Sequence, residues 1–136
     1  MMPTTTLTSG LVVANFSSPH SFRFTDGSEL GPCSPDRANL SKLDTEEVEI
    51  CRGRWTDIRL TFILNPTVRA MLSEAYLQWR TREVDVVIVP LPVITAMRGN
   101  GDLLGWDPED PEAHPFRTIR SADRVSKVNY ADRFCV

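Results

Sequence analysis

Hydrophobic and polar positions alternate most clearly between residues 55 and 64. From Ile58 to Leu64 an apolar residue occupies every second position, a period of two that predicts a strand with one buried face. A shorter alternation over 47–51 comes before it, and the link at Gly53 between them has the length of a hairpin turn. We therefore predict two antiparallel strands, the second of which buries one face.

The spacing changes to that of a helix directly after this strand. Asn65 is suited to cap a helix, and Pro66 to occupy its first turn, where a missing N–H costs nothing. The apolar residues that follow share one helical stripe: Val68, Met71, Leu72, Ala75, Tyr76 and Trp79. We predict an amphipathic helix over 66–80 that packs on one face of a sheet.

A short run of mostly β-branched residues at 84–89 predicts a central strand that is buried on both faces. It follows a strand and an amphipathic helix, an order typical of a crossover connection. The strand at 55–64 and the strand at 84–89 are therefore predicted to be parallel neighbours.

Short helices and weaker strands are predicted on either side. Ser34 and Pro35 have the chemistry of a helix start and predict a helix at 35–42, and Pro92 predicts another at 92–98. The flanks are expected to hold strands at 11–16 and 21–25, joined to a tight turn at 25–28, and a C-terminal hairpin over 116–130.

Length and composition fit one α+β domain with a mixed sheet. The chain has 136 residues, enough for one core, and its 41% hydrophobic and 24% charged residues are ordinary for a globular protein. We expect a single domain over 1–136, with an acidic loop rich in proline and glycine at 100–115. No apolar run is long enough to cross a membrane. Three widely separated cysteines and an N-terminus unlike a secretion signal favour the cytoplasm.

Sequence motifs for catalysis are absent. Neither His20 nor His114 has a second ligand at metal-binding spacing, and the chain has no phosphate-binding glycine loop and no nucleophile elbow. Cys51 would be a nucleophile only beside a histidine. The sequence therefore predicts no catalytic residue, no metal site and no cofactor.

A stable scaffold without catalytic motifs favours a non-enzymatic protein that acts through protein contacts, as a homo-oligomer or as an inhibitor of a larger protein. Short chains of this kind are common among accessory proteins of phages and mobile elements. Inhibition of a host defence protein is therefore one expectation.

Two surfaces are candidates for such contacts. An exposed Trp106 in the acidic loop would anchor an interface, whereas a Trp106 folded back would pin the loop. Its acidic neighbours are Asp107, Glu109 and Asp110. The second candidate is an apolar spot on the predicted helix, where Ala70 and Leu77 lie opposite the buried stripe.

The alternative hypothesis is an anion site, for a nucleotide-binding protein or a small phosphodiesterase using His20 or His114. Ligands tend to bind beyond the carboxyl ends of parallel strands, where helix N-termini present free N–H groups. The candidate residues are Asn65, Thr67, Leu91, Arg117 and Arg120.

Nucleic-acid binding is a third hypothesis, resting on the basic residues of the predicted C-terminal hairpin. A nucleic-acid site needs a basic face interleaved with aromatic residues. The whole chain carries a net charge of −3, which disfavours such a partner.

Overall fold

A computed structural model describes residues 2–119 and Phe134. Within that part the chain is a mixed α+β protein. Its elements are, in order, β1 (Thr4–Thr6), β2 (Val12–Asn15), β3 (Phe22–Arg23), β4 (Glu29–Leu30), α1 (Pro35–Leu40), β5 (Asp44–Arg52), β6 (Trp55–Ile63), α2 (Pro66–Arg80), β7 (Val86–Ile88), α3 (Leu91–Gly99), a 3₁₀ turn (Gly101–Leu103) and β8 (Phe116–Arg117). The predicted fold class and the three predicted helices are confirmed.

The central sheet has four strands in the order β1, β2, β7, β8. β1 is antiparallel to β2, whereas β7 is parallel to both β2 and β8. Because β7 has a partner on each side and both faces covered, Val87 and Ile88 are buried, as the β-branched run predicts.

The two faces of this sheet are covered by different elements. Ala14, Val87 and Phe116 belong to a core cluster built with α2 and α3, to which those helices contribute Val68, Met71, Leu72, Ala75, Val93, Ile94 and Met97. Val13 and Ile88 point to the opposite face and pack against the β3–β4 hairpin. This alternation follows from the period of two along each strand.

The predicted pairing of the strand at 55–64 with the strand at 84–89 is wrong. β6 pairs only with β5 within the described part of the chain, and the parallel neighbours of β7 are β2 and β8. The order strand, helix, strand shows that a crossover exists, but it does not show which earlier strand becomes the neighbour. The four residues of β2 carry too short a pattern to compete with the longer β6.

The hairpin of β5 and β6 is confirmed, but the predicted burial of one face of β6 is wrong. Nine residue pairs join the strands, from Asp44 and Ile63 at the base to Arg52 and Trp55 at the turn. Ile58 and Leu60 are about three-fifths exposed. Alternation shows that a strand has an apolar face and a polar face, but it does not show that another element packs on the apolar one. Other elements already cover both faces of the central sheet, so the apolar face of β6 does not pack there.

Local capping explains where the helices begin. The Asn65 side chain accepts a hydrogen bond from the N–H of Val68 at 2.9 Å, and Ser34 accepts one from Arg37 at 3.2 Å. Pro66 and Pro35 follow these caps, where their rings fit the first turn. The acidic loop at 100–115 contains the 3₁₀ turn and otherwise no regular element, as its proline and glycine content predicts.

The structure tests the remaining predictions for the flanks only as far as residue 119. The tight turn of the β3–β4 hairpin is confirmed, with Gly27 at a φ of 90°. Phe116 and Arg117 form β8, which is parallel to β7. The rest of the predicted C-terminal hairpin lies outside the described residues. No helix among those described is long and apolar enough to cross a membrane.

Asp26 gives the fold a pH dependence that can be measured. Its carboxylate accepts the N–H of Thr8 at 2.7 Å and that of Ser28 at 2.8 Å. These hydrogen bonds, the one from Thr8 above all, hold the pKa of Asp26 well below its usual range.

A lowered pKa in the folded state stabilises the protein above the ordinary carboxyl pKa of about 4, and this stabilisation is lost as the pH falls further. We expect Asp26→Asn to be less stable than the wild type at pH 7 and the gap to close towards pH 2. Urea unfolding of both proteins across this range measures the gap. A gap that does not change with pH would contradict the assignment.

Candidate functional site

A pocket of about 710 Å³ lies at the carboxyl ends of the parallel strands. The segments that follow β2, β7 and β8 all contribute to it, through Ser17, Val89 and Thr118 among others. Side walls come from α1, from the link between α1 and β5, and from the start of α3. Phe22 and Phe62 add aromatic surface at its margin. This is the position where open sheets with parallel strands bind ligands.

The segment after β2 is shaped by Asn15, whose side chain is fully buried. Its Nδ2 donates to the carbonyl oxygens of Ser18 at 2.9 Å and Gly31 at 3.0 Å, with a longer contact to that of His20 at 3.4 Å. Its Oδ1 accepts the N–H of Ser18 at 2.9 Å. One side chain therefore fixes the backbone that carries Ser17, Ser18 and His20 into the pocket.

Helix α1 and Cys33, which lies just before it, are held against the same segment by three further contacts. The Arg37 Nε donates to the carbonyl oxygen of Phe16 at 2.6 Å, and its guanidinium lies over the Phe16 ring, 5.4 Å from the centroid. The buried Cys33 thiol donates to the carbonyl oxygen of Asn15 at 3.1 Å. Burial raises the pKa of Cys33, so its sulfur stays a thiol and acts here as packing and as a donor.

The pocket wall is mostly apolar, with polar groups at a few positions. Apolar surface comes from Leu43, Pro90, Pro92 and Val93 as well as from the two phenylalanines. The polar members are Ser17, Ser18, His20, Asn39, Ser41, Lys42 and Thr118. Among the described residues no carboxylate lines the pocket, and Lys42 supplies its only permanently charged side chain.

Ser17 is the one polar group of this wall that is buried and left without a partner. Its side chain is 3% exposed, and its Oγ makes no hydrogen bond within the part of the chain that the structure describes. Buried hydroxyls are nearly always hydrogen-bonded in native proteins. Because Ser17 lines the pocket, a molecule bound in the pocket can supply the missing hydrogen-bond partner.

None of the four predicted anion residues that the structure describes is among the residues that line the pocket. Leu91 is exposed at the start of α3, next to the pocket residues Pro90 and Pro92. Asn65 is used by the fold, since its side chain caps α2 and its Nδ2 donates to the carbonyl oxygen of Lys42 at 3.0 Å. Thr67 is exposed in the first turn of α2, outside the pocket lining.

Arg117 serves the fold rather than a ligand. Its guanidinium donates to the carbonyl oxygens of His114 at 3.1 Å, of Phe116 at 2.8 Å, and of Pro111. It therefore ties the acidic loop to β8, which the charge alone could not predict. Arg120 lies outside the described residues.

His114 and His20 occupy opposite environments. His114 is buried, with its Nε2 at 3.2 Å from the carbonyl oxygen of Pro108 and its Nδ1 accepting the N–H of Phe116 at 3.1 Å. These partners assign the proton to Nε2, and burial lowers the pKa of His114, so the ring is neutral at pH 7. His20 is exposed at the pocket and remains available to a ligand.

Trp106 is folded back into the protein instead of being exposed as an interface anchor. Its side chain is 8% exposed and its indole stacks on Tyr76 with ring centroids 4.5 Å apart. The second sequence interpretation, in which the residue pins the loop, is therefore the correct one. Its acidic neighbours Asp107, Glu109 and Asp110 do lie on the surface. Sequence patterning could not choose, because a lone aromatic residue in a loop has no periodic neighbours.

The other candidates stay apart from the pocket. Ala70 and Leu77 are both exposed on α2, on the side away from the core, as predicted. Cys51 is exposed on β5. Among residues 2–119 and Phe134, no group of three or more histidine, cysteine, aspartate or glutamate side chains is placed to hold a metal ion.

The site residues predicted from sequence leave out most of the residues that line the pocket. The prediction placed the site beyond the carboxyl ends of parallel strands, but it took β6 as one of those strands and so selected Asn65 and Thr67. The signal that could have found the site is the polar segment Ser17-Ser18-Pro19-His20, which follows a predicted strand directly. Comparison of the chain with protein-family models, with curated proteins and with solved structures finds no match in any of the three.

Proposed function

We propose that the protein binds a small amphipathic molecule, with an apolar body and an anionic end, in the pocket at the carboxyl ends of β2, β7 and β8. The observation that supports this most directly is the convergence of three strand ends and two helices on one mostly apolar cavity of about 710 Å³. That volume falls in the usual range for small-molecule sites, roughly 300–1,000 Å³.

The apolar wall supports the choice of an apolar ligand body. Phe22, Phe62, Leu43 and Val93 present hydrocarbon surface, and binding would remove it from water. Removal of apolar surface contributes about 25 cal/mol for each Å². A ligand of purely polar character would gain little from such a wall.

The charges at the rim support an anionic end on the ligand. Lys42 carries a positive charge, His20 offers a ring nitrogen, and no described carboxylate in the lining opposes an anion. Ser17 also lines the pocket, and its unpartnered hydroxyl can donate to a carboxylate or sulfonate oxygen or to a water bound with it.

A nucleotide, the ligand favoured by the anion hypothesis from sequence, fits this pocket less well than an amphipathic carboxylate. The start of α3 has Pro92 among its first residues, which lacks an N–H, and the Val93 N–H bonds to Pro90. Arg117 is committed to backbone carbonyl oxygens. The charge of several phosphate oxygens would therefore meet few donors.

Binding of 8-anilinonaphthalene-1-sulfonate, an apolar aromatic sulfonate, tests this proposal. We expect its fluorescence to rise on binding and octanoate to displace it, whereas inorganic phosphate displaces none. Lys42→Gln should weaken octanoate binding about threefold, the size of one partly exposed ion pair. Ala38→Phe places a large side chain in the cavity and should abolish binding.

Two matched variants separate specific binding from general effects. Lys42→Arg keeps the charge and should bind octanoate as the wild type does. Arg54→Gln removes one positive charge from the turn between β5 and β6, outside the pocket lining, and should not change octanoate binding. Absence of binding to the wild type at millimolar octanoate, or unchanged binding by Ala38→Phe, would refute the proposal. Thermal unfolding of each variant checks that it folds.

Action through protein contacts, the leading hypothesis from sequence, remains a second proposal with a different surface. The burial of Trp106 removes the expected anchor from the acidic loop. The large exposed apolar side chains of β6 take its place as the candidate, because isolated apolar side chains are common on surfaces but a row of them on one strand is not.

A further inference from the structure

The ribbon formed by β5 and β6 is the least covered part of the described structure. Apart from β5, the element that β6 chiefly contacts is α3. Every residue from 51 to 60 is exposed. Trp55, Ile58 and Leu60 are each about three-fifths exposed, so the ribbon holds large apolar side chains in water. A two-stranded ribbon alone is marginally stable, and no other strand of the described part of the chain pairs with its outer edges.

The two outer edges of the ribbon differ in charge. β5 carries Asp44, Glu46, Glu47 and Glu49, so two β5 strands placed edge to edge would repel each other. Such charges protect an edge from pairing. β6 carries one acid, Asp57, and one base, Arg59, within Trp55–Ile63. Its edge therefore has no comparable protection.

We propose that β6 pairs antiparallel with β6 of a second copy of this chain, about a two-fold axis that passes through Ile58. The result is a four-stranded sheet in the order β5, β6, β6, β5. A two-fold contact of this kind uses the same patch on both copies and closes the assembly as a dimer. The acidic β5 strands then form both outer edges, where their charge opposes the addition of further chains.

Charge complementarity selects this axis among its neighbours. An axis at Ile58 sets Asp57 opposite Arg59 of the second copy, twice, and sets the two Ile58 side chains opposite each other. Moving the axis to Asp57 or to Arg59 would place two like charges directly opposite, which is destabilising. Among the described residues Arg59 has no ion pair, and Asp57 has one, between its Oδ2 and Arg52 Nε at 2.6 Å, which leaves its Oδ1 for Arg59 of the second copy.

Space at the base of the ribbon disfavours an axis at Leu60. That register would carry the turn at Gly53 of one copy past Ile63 and onto the start of α2 in the other. With the axis at Ile58, residues 55–61 of the two copies pair and the turn stops at the base of the ribbon. Ile58 and Leu60 then lose water contact on one face of the new sheet, which contributes about 0.2–1 kcal/mol for each cross-strand pair.

Sedimentation of the full chain over a range of concentrations tests the dimer itself. We expect the mass of two copies, and Ile58→Asp should weaken association about 100-fold, because two carboxylates replace an apolar pair at the axis. Leu103→Asp is the matched control, since Leu103 in the 3₁₀ turn is 58% exposed, close to the 62% of Ile58. It should leave the mass unchanged. A monomeric wild type, with β6 facing solvent or another protein, would overturn the proposal.

Cysteine cross-linking tests the register. In a background that carries Cys51→Ser and Cys135→Ser, Ile58→Cys places two thiols opposite each other across the axis, at a Cα separation of about 4.5–5.5 Å that a disulfide can bridge. Leu60→Cys places the two thiols about 13 Å apart, because residue 60 of one copy is then offset by four residues along the strand from residue 60 of the other. We expect a cross-linked dimer from the first variant alone. Equal cross-linking by both variants would overturn the register.

Charge exchange provides an independent check. Asp57→Arg and Arg59→Asp each create like-charge pairs in a dimer of identical chains and should weaken association about tenfold. Mixed together, the two variants restore opposite charges at both positions, so they should associate with each other as the wild type does with itself. Circular dichroism confirms that both fold. Self-association of both variants at wild-type strength would contradict the pairing of Asp57 with Arg59.

Discussion

Replacing Trp106 with alanine should lower the free energy of unfolding by about 3–5 kcal/mol, the usual cost of deleting a buried tryptophan. The indole stacks on Tyr76 with an interplanar angle of 13° and contacts the Phe116 ring at 5.6 Å. It belongs to the larger core cluster although it lies in the acidic loop. Since domains of this size are stable by roughly 5–15 kcal/mol, such a loss is a large share of the total.

Trp106→Phe is the matched variant. It keeps an aromatic ring in the cluster and removes the indole Nε1, which is buried with no hydrogen-bond partner among the described residues. Its cost should stay below about 1.5 kcal/mol. Glu109→Ala removes an exposed neighbour and should change stability by less than about 0.5 kcal/mol. Urea unfolding followed by circular dichroism measures all three. A Trp106→Ala variant as stable as Trp106→Phe would show that the indole is not packed.

Exchanging Asn15 for aspartate should cost about 3–5 kcal/mol at neutral pH, despite the near-identical shape of the two side chains. The Nδ2 group donates towards three carbonyl oxygens, and a carboxylate oxygen in its place would face them with like partial charge. The site is fully buried, so water cannot relieve this repulsion. The loop that carries Ser17, Ser18 and His20 into the pocket should lose its fixed shape.

The pH dependence of this variant separates electrostatics from packing. Protonation gives the new carboxyl group a donor again, so the deficit of Asn15→Asp should shrink as the pH falls. Asn15→Ala lacks a titrating group, and its deficit should stay constant over the same range. Urea unfolding at several pH values measures both variants. A deficit of Asn15→Asp that does not vary with pH would contradict the role given to Nδ2.

Part of the pocket was predictable from sequence, and part was not. The rule that ligands bind beyond the carboxyl ends of parallel strands selected the start of α3, and Pro90 and Pro92 there do line the cavity. It also selected Asn65 and Thr67, because β6 was taken as a strand of the main sheet. The site depends on which strands are parallel neighbours, and β2 and β7 are brought together from more than 70 residues apart. No local pattern specifies such a partner.

The sequence by itself determined the elements whose causes lie within a few residues. The cap at Asn65, the proline after it and the apolar stripe on one side specify α2, and the turn at Gly53 with its flanking alternation specifies the ribbon. Only the tertiary structure decided that β7 lies beside β2, that Trp106 is buried and that Ile58 is exposed. The reason is physical: hydrogen bonding and periodicity act between near neighbours, whereas burial depends on whether a distant segment covers the same face.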